Sequence, residues 1–427
     1  MPPSILPPGW VENQRLATAP NLLAARLINF STFLPKSTSV PLPFLPSAPM
    51  FNTKSIIWRI NMNHRTISFR QAAGSALLAL IVLLCLPVSA ASTKLGALPV
   101  GTSPDSVDFT ASEIYVLDRG TISAYSLPDL VLRRTFCGSG TAFGQLSRGH
   151  NWDEAVRVAS GKVIAEDNDN ILFFSPDGRF LSEKAKPANT AWYIPIGDRY
   201  VAKSMIVAGN PPLQYIRAVL YDADLKEIKE LYRQKWFQQQ NPPGFTTEFP
   251  GDLLHYAVAG DKIFIDRSPE GWAIGIYDAG GREISLLKKD FTPMPMTPAD
   301  RERETAQVRR EKRVAAMIRR AGSWEKLREV WSFAFSDFKP ALRELQAYGN
   351  NVLVRTFEKK GDETRFLVLD PQGRVGKELF LPVGTDAETE ARVCGTAFYK
   401  IIDGRVYFLR HNLEQDVWEV HVAAAGL

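Results

Sequence analysis

From residue 97 onward the chain alternates short β-branched or aromatic runs with polar turns, and it does so six times. The segments are "ASEIYVLDRGTISAYSLPDL", "GKVIAEDNDNILFFSPDGRF", "GDRYVAKSM" with "IRAVLYDADLKE", "GDKIFIDRSPEGWAIGIYDAGGRE", "NNVLVRTFEKKGDETRFLVLDPQGRV" and "DGRVYFLRHNLEQDVWEVHV". Each reads as strand, hairpin and strand. Turns of the form "PDGR", "AGGR" and "PQGR" fall at the same place in the second, fourth and fifth segments. Strands of four to six residues bury no face alone, so the segments must stack on one another. The pattern predicts an all-β fold, a six-bladed β-propeller over residues 91–427.

The acidic run "EDNDN" (166–170) raises a choice between a metal loop and a hairpin connection. It occupies the slot held by "DRG", "DRSPEG" and "EKKGDE" in other segments. Asn and Asp suit such turns because they tolerate left-handed backbone and hydrogen-bond it locally. A calcium loop needs spaced oxygen ligands and a terminal bidentate acid, and that spacing is missing. The run is read as a hairpin, with no metal.

One stretch breaks the period. Between the fourth and fifth segments lies a helical insertion, residues 297–332, with Thr297 as N-cap, Pro298 at the first helical position and Asp300 completing a capping box. Gly322 and Ser323 divide it into a helix over about 298–320 and a shorter one from Trp324. Val314, Met317, Ala321, Trp324, Leu327 and Trp331 recur at threes and fours, forming one apolar stripe expected to pack on the propeller rim. Residues 301–329 carry ten Arg or Lys against five Glu. The basic helix 298–320 is therefore either a solvated face with internal pairing or a peripheral contact for an anionic surface.

The N-terminus follows other rules. Residues 62–90 combine a basic start (His64, Arg65, Arg70), an apolar run from Ala72 to Leu86 and small residues Val88 and Ala90 before a cut, the pattern of a signal peptide. The apolar run is shorter than the roughly 20 residues of a membrane span. Residues 1–61, Pro- and Ser-rich and without period, read as a disordered upstream extension from a misplaced start. Seven of the 51 basic and one of the 46 acidic side chains precede Ala91, leaving 44 against 45 beyond it. The net charge of +5 thus belongs to the leader and gives no reason to expect nucleic acid. Export to the periplasm or beyond would let Cys137 and Cys394 pair, the alternative being two separately buried thiols.

The segments "TFCGSGTAFGQL" and "GKVIAEDNDNILFFSPDGRFL" resemble the NHL-repeat and TolB-like type of six-bladed propeller, with its glycine-rich connection before each hairpin. The resemblance spans residues 97–427 and is strongest over 111–185. It implies a fold and leaves function open, since such propellers host binding, docking and several chemistries. Enzymes of this shape gather several His or carboxylate ligands at the channel. Here only His150, His255, His411 and His421 follow the leader, and the recurrent Trp motif of quinoprotein propellers is absent.

In all six segments the first apolar run ends in a charge: Asp118, Glu166, Lys203, Asp266, Arg355 and Arg410. Taken as the innermost strands, these runs would place three acids and three bases in one ring around the channel, with His411 beside it as an acid or base. Such a ring suits an anionic or zwitterionic ligand held by Arg355 and Arg410. The alternative is a wet channel lining whose charges neutralise one another. The loop "RGHNWDEAVRV", with His150, Trp152, Asp153, Glu154 and Arg157, could reach over the same mouth. No nucleophile is identifiable. The sequence is read as a monomeric, exported ligand-binding or protein-interaction propeller with no cofactor; the rival is a lyase or hydrolase with its site at the channel mouth.

Overall fold

Six antiparallel sheets of four strands each, arranged as propeller blades, make up the chain from Thr93 to Ala424. The computed structural model describes residues 92–147, 154–210, 212–236, 238–241, 244–249, 254–310, 312–383 and 398–427. Residues 1–91, the loop with His150, Trp152 and Asp153, and Cys394 with its proposed pairing to Cys137 lie outside these residues.

The innermost strands are Ser106–Phe109 in blade 1, Ala155–Ala159 in blade 2, Thr190–Ile196 in blade 3, Tyr256–Ala259 in blade 4, Glu344–Tyr348 in blade 5 and Tyr399–Ile402 in blade 6. Second strands follow in the same order as Glu113–Asp118, Lys162–Glu166, Arg199–Ala208, Lys262–Asp266, Asn351–Lys360 and Arg405–Asn412. The ring closes on itself. Blade 6 takes its three inner strands from the C-terminus and its outer strand, Thr93–Ala97, from the N-terminal side, paired antiparallel to Val417–Ala424. Closure of this kind removes an exposed sheet edge that would otherwise invite pairing with another chain.

Alternation along each strand supplies both neighbours of a blade. In blade 5, Val352 and Val354 pack with Phe264, Ile274 and Ile276 of blade 4. Leu353, between them, packs with Val406 and Phe408 of blade 6. Each such fully buried side chain contributes roughly 1.5–3 kcal/mol.

The recurring turn glycine serves this stacking as well as the turn. Gly373 has φ +80°, and a Cβ there would lie 2.4 Å from Leu287 of blade 4. The aspartate at the head of the turn closes it: Asp370 Oδ1 accepts from the N–H groups of Gln372 and Arg374, and Asp278 Oδ1 from those of Gly280 and Arg282. The "EDNDN" connection is likewise a hairpin turn. Asp167 accepts from Ser147 N–H at 2.6 Å and hydroxyl at 2.9 Å, and from the N–H groups of Asp169 at 2.8 Å and Asn170 at 2.7 Å.

The insertion is helical, as its sequence predicts: α1 (Pro298–Arg310), α2 (Lys312–Ala321) and α3 (Trp324–Val330). The capping box is formed, with Asp300 N–H donating to Thr297 Oγ1 and Thr297 N–H to Asp300 Oδ2, both at 3.1 Å. The expected packing surface, however, needs correction. The stripe packs on an accessory three-stranded sheet of Gln238–Asn241, Gly244–Phe249 and Trp331–Phe335. Two of those strands come from a second insertion between blades 3 and 4, and Gly244–Phe249 pairs in parallel with Trp331–Phe335. Val314, Leu327 and Trp331 form a core with Phe249, and Trp331 Nε1 donates to Thr247 Oγ1 at 2.7 Å. The stripe therefore has an apolar partner supplied by the insertions themselves. Among the described residues no helix is long and apolar enough to cross a membrane.

Candidate functional site

The six strand-end charges lie on the second strands, one position further from the axis than the sequence suggests. The innermost strands carry less hydrophobic signal, as in "SVDF", "AVRVA" and "YAVA", and go unnoticed beside the stronger runs that follow them. Antiparallel pairing still brings the charges to one end of the channel, because in each blade the inner strand begins opposite the charged position or within two residues of it. Ala155 lies opposite Glu166, Ala191 opposite Lys203 and Glu344 opposite Arg355.

Blades 2 and 3 meet at Glu166, which is 3 % exposed. Its carboxylate accepts from Trp192 N–H at 2.9 Å and lies 3.7 Å from Lys186 Nζ and 3.9 Å from the Arg157 guanidinium. Trp192 has φ +61°, unusual for a side chain of that size, and sits where the pairing of Thr190–Ile196 with Arg199–Ala208 shifts register. Such backbone persists only where its surroundings hold it. Three contacts do so here: Glu166 on the N–H, the Tyr256 hydroxyl donating to the carbonyl, and Lys203 Nζ 3.6 Å from the indole centroid.

Blades 4 and 5 complete the arrangement. His255 immediately precedes the inner strand of blade 4, and its carbonyl accepts from Asp266 N–H at 2.9 Å. Burial holds the imidazole well below its usual pKa, and the positive charges of Lys203, Arg343 and Arg355 push the same way. From blade 5, Arg355 stands 3.6 Å from Glu344, which accepts from the Tyr399 hydroxyl of blade 6 at 3.0 Å. Burial raises the Glu344 carboxyl above the ordinary range, and Arg355 opposes that shift. Burial, then the neighbouring Glu344, raises the Tyr399 phenol far above its ordinary value.

Glu166 and Lys203 thus meet at Trp192, and Arg355 meets Glu344 and Tyr399. Asp118 accepts from Ser103 N–H at 3.0 Å, and Asp266 from Ser268 N–H at 2.7 Å, both as turn acceptors. Arg410 lies across from Glu419, its guanidinium 6.0 Å from the Phe408 ring. His411 stacks on Trp418 with ring centroids 4.7 Å apart and bonds Asp416 at 3.1 Å. The single charged ring expected from the alignment is therefore replaced by two kinds of environment. Residues missed by the sequence reading, namely Lys186, Trp192, Tyr256, Arg343, Glu344 and Tyr399, lie on or beside the unrecognised inner strands. The only local signal was a charged or aromatic residue just ahead of each hairpin segment.

The mouth is electrically uneven. On the side of blades 3 to 5 stand Lys203, Arg343 and Arg355, whose charges help to hold the His255 imidazole pKa down, and of the acids nearby, Asp266 is engaged by Ser268 and Glu344 has a raised pKa. Across it, Asp105 and Asp167 accept backbone N–H groups from turns. The arrangement can hold a carboxylate or phosphate by charge-assisted hydrogen bonds on its basic side.

No family model matches the chain, and no curated protein matches it in sequence. Two solved structures align with it at low similarity. BamB from Moraxella catarrhalis matches at 9 % identity and a TM-score of 0.28 over 75 % of this chain and 85 % of that one. KlHsv2 with loop 6CD replaced by a Gly-Ser linker matches at 8 % identity and a TM-score of 0.33, over 75 % and 98 %.

Proposed function

We propose that the protein is an exported, non-catalytic ligand-binding or interaction propeller of the NHL-repeat or TolB-like kind, whose channel mouth takes a small anionic or zwitterionic ligand. One observation carries the reading: Lys203 of blade 3 and Arg355 of blade 5 stand at corresponding positions of the repeat, opposite Ala191 and Glu344 at the start of their inner strands. A low-dielectric channel focuses such a field on whatever enters it. A zwitterion would place its carboxylate or phosphate toward blades 3 to 5 and its cation toward the acids of blades 1 and 2. Export rests on the leader pattern of residues 62–90.

The direct test is calorimetric titration with sulfate and with small dicarboxylates, on the wild type and on Arg355→Gln. Saturable binding that weakens tenfold or more in the variant supports the reading, since one charge-assisted contact is worth about 1.5–3 kcal/mol. Equal affinity of the two proteins overturns it. N-terminal sequencing of the exported form, expected to begin near Ala91, tests the address.

A further inference from the structure

We propose that the outer face of α1 is a docking trough for an extended acidic segment of a partner protein, separate from the channel mouth. Arg301, Glu302, Thr305, Ala306 and Arg309 line an open trough of about 330 Å³ along that face. The helix belongs to the module built by the two insertions, whose three-stranded sheet is distinct from the six blade sheets.

Both arginines are held by aromatic rings. The guanidinium carbon of Arg301 lies 5.7 Å from the Phe335 ring centroid, and that of Arg309 lies 5.3 Å from the Trp324 ring. Arg301 Nε is buried and bonds nothing among the described residues, while its Nη2 reaches the exposed Asp337 at 3.9 Å. No carboxylate among the described residues pairs with Arg309. Stacking on a ring fixes a guanidinium and leaves its N–H fork available to a carboxylate. Between the two arginines, Thr305 turns its hydroxyl back onto the Arg301 carbonyl at 2.8 Å. With Ala306 it makes a low floor that a backbone can approach.

The spacing selects the ligand. Eight helical residues separate the two arginines, a span of about 12 Å. In an extended chain, acidic side chains four residues apart point the same way and lie about 13 Å apart. One such segment therefore reaches both arginines at once. The excess of ten basic over five acidic side chains in residues 301–329 attracts it from a distance. An anionic bilayer is a poorer match, because a basic helix that binds lipid inserts its apolar face. Here Val314, Met317, Ile318 and Ala321 of α2 already share a core with Phe249 and Trp331. Glu302 stands exposed in the trough and repels an acidic ligand.

The test is fluorescence anisotropy of labelled decaglutamate titrated with the full chain, with thermal melting to confirm that each variant is folded. Saturable binding that weakens with salt is expected. Arg301→Gln with Arg309→Gln should weaken it about fivefold or more, the loss of two partly exposed ion pairs. Glu302→Gln should tighten it, and Arg355→Gln at the channel mouth should leave it unchanged. Equal affinity of the wild type and the double variant, or no decaglutamate binding at millimolar concentration, overturns the proposal and leaves the channel-mouth reading standing. Retention on phosphatidylglycerol vesicles that is lost in the double variant, without peptide binding, assigns the trough to lipid and overturns the protein partner.

Discussion

The strand-end charges of blades 2, 3 and 5 and those of blades 1, 4 and 6 hold the same place in the repeat and meet different fates. Glu166 and Arg355 reach partners across the gap to the next blade, Trp192 of blade 3 and Tyr399 of blade 6, and Lys203 lies over the ring of Trp192, whose carbonyl accepts from Tyr256 of blade 4. Asp118 and Asp266 are bound by the N–H groups of nearby turns, and Arg410 lies beside residues of its own blade. A repeat fixes where a side chain starts. What the adjacent inner strand presents to it decides whether it becomes part of a turn or part of a site.

The largest expected effect separates the two groups by ligand affinity. The double change Lys203→Gln with Arg355→Gln should lower sulfate affinity by about two orders of magnitude or more, from about 1.5–3 kcal/mol per charged contact. Asp118→Asn with Arg410→Gln should leave it within about twofold. Equal losses in the two pairs, read by calorimetry, would break the distinction.

Stability should divide the same way. Glu166→Ala leaves Lys186, whose side chain is fully buried, without its carboxylate and frees the Trp192 N–H, so a loss of about 3–5 kcal/mol is expected. Asp118→Ala, removing a partly exposed turn acceptor, should cost about 1 kcal/mol. Urea midpoints on the two variants give the comparison.

Two glycines sharpen it at the level of backbone. Gly373 and Gly404 both have positive φ, +80° and +72°. Alanine at 373 meets Leu287 and Ile276 of the preceding blade, whereas alanine at 404 meets nothing within 4 Å. Gly404→Ala should cost about 1–2 kcal/mol from strain alone, and Gly373→Ala about 1–3 kcal/mol more from overpacking.

The smallest effect is confined to acid. Glu419, opposite Arg410, is engaged by Asn412, Lys94 and His421, and despite burial its carboxyl is held down at about 2. A lowered carboxyl pKa stabilises the fold above the unfolded value near 4.3 and loses that stabilisation as pH falls toward 2. Glu419→Gln should flatten the thermal melting temperature between pH 4.5 and 2.5 and lower it at pH 7. An unchanged acid profile would count against this assignment.

Much of the fold was legible because periodicity is a local signal. The "VIAE" and "IFID" runs, the Asp-headed turns and the Thr297–Asp300 cap all sit where their patterns place them. The site was less so. The inner strands are four to seven residues long and lack the dense apolar runs of their neighbours, so the pattern points to the second strand of each blade as the one that lines the axis. His255 carries no pattern at all in the sequence. Its electrostatic setting comes from Lys203, 52 positions earlier, and Arg355, 100 positions later, and only the stacking of three consecutive blades brings those near it. The accessory sheet was hidden for a related reason, because Gly244–Phe249 pairs with a strand that follows three helices.

The central claim is that the basic side of the mouth, among Lys203, His255, Arg343 and Arg355, receives an anion. Crystals soaked in selenate, a sulfate analogue with an anomalous signal, test this most directly. The account predicts an anomalous peak at the mouth within hydrogen-bonding distance of at least two of those three cations, lost in Lys203→Gln with Arg355→Gln. Selenate found only along the basic α1 and α2 helices, or a channel mouth that stays free of it at saturating concentration, would contradict it.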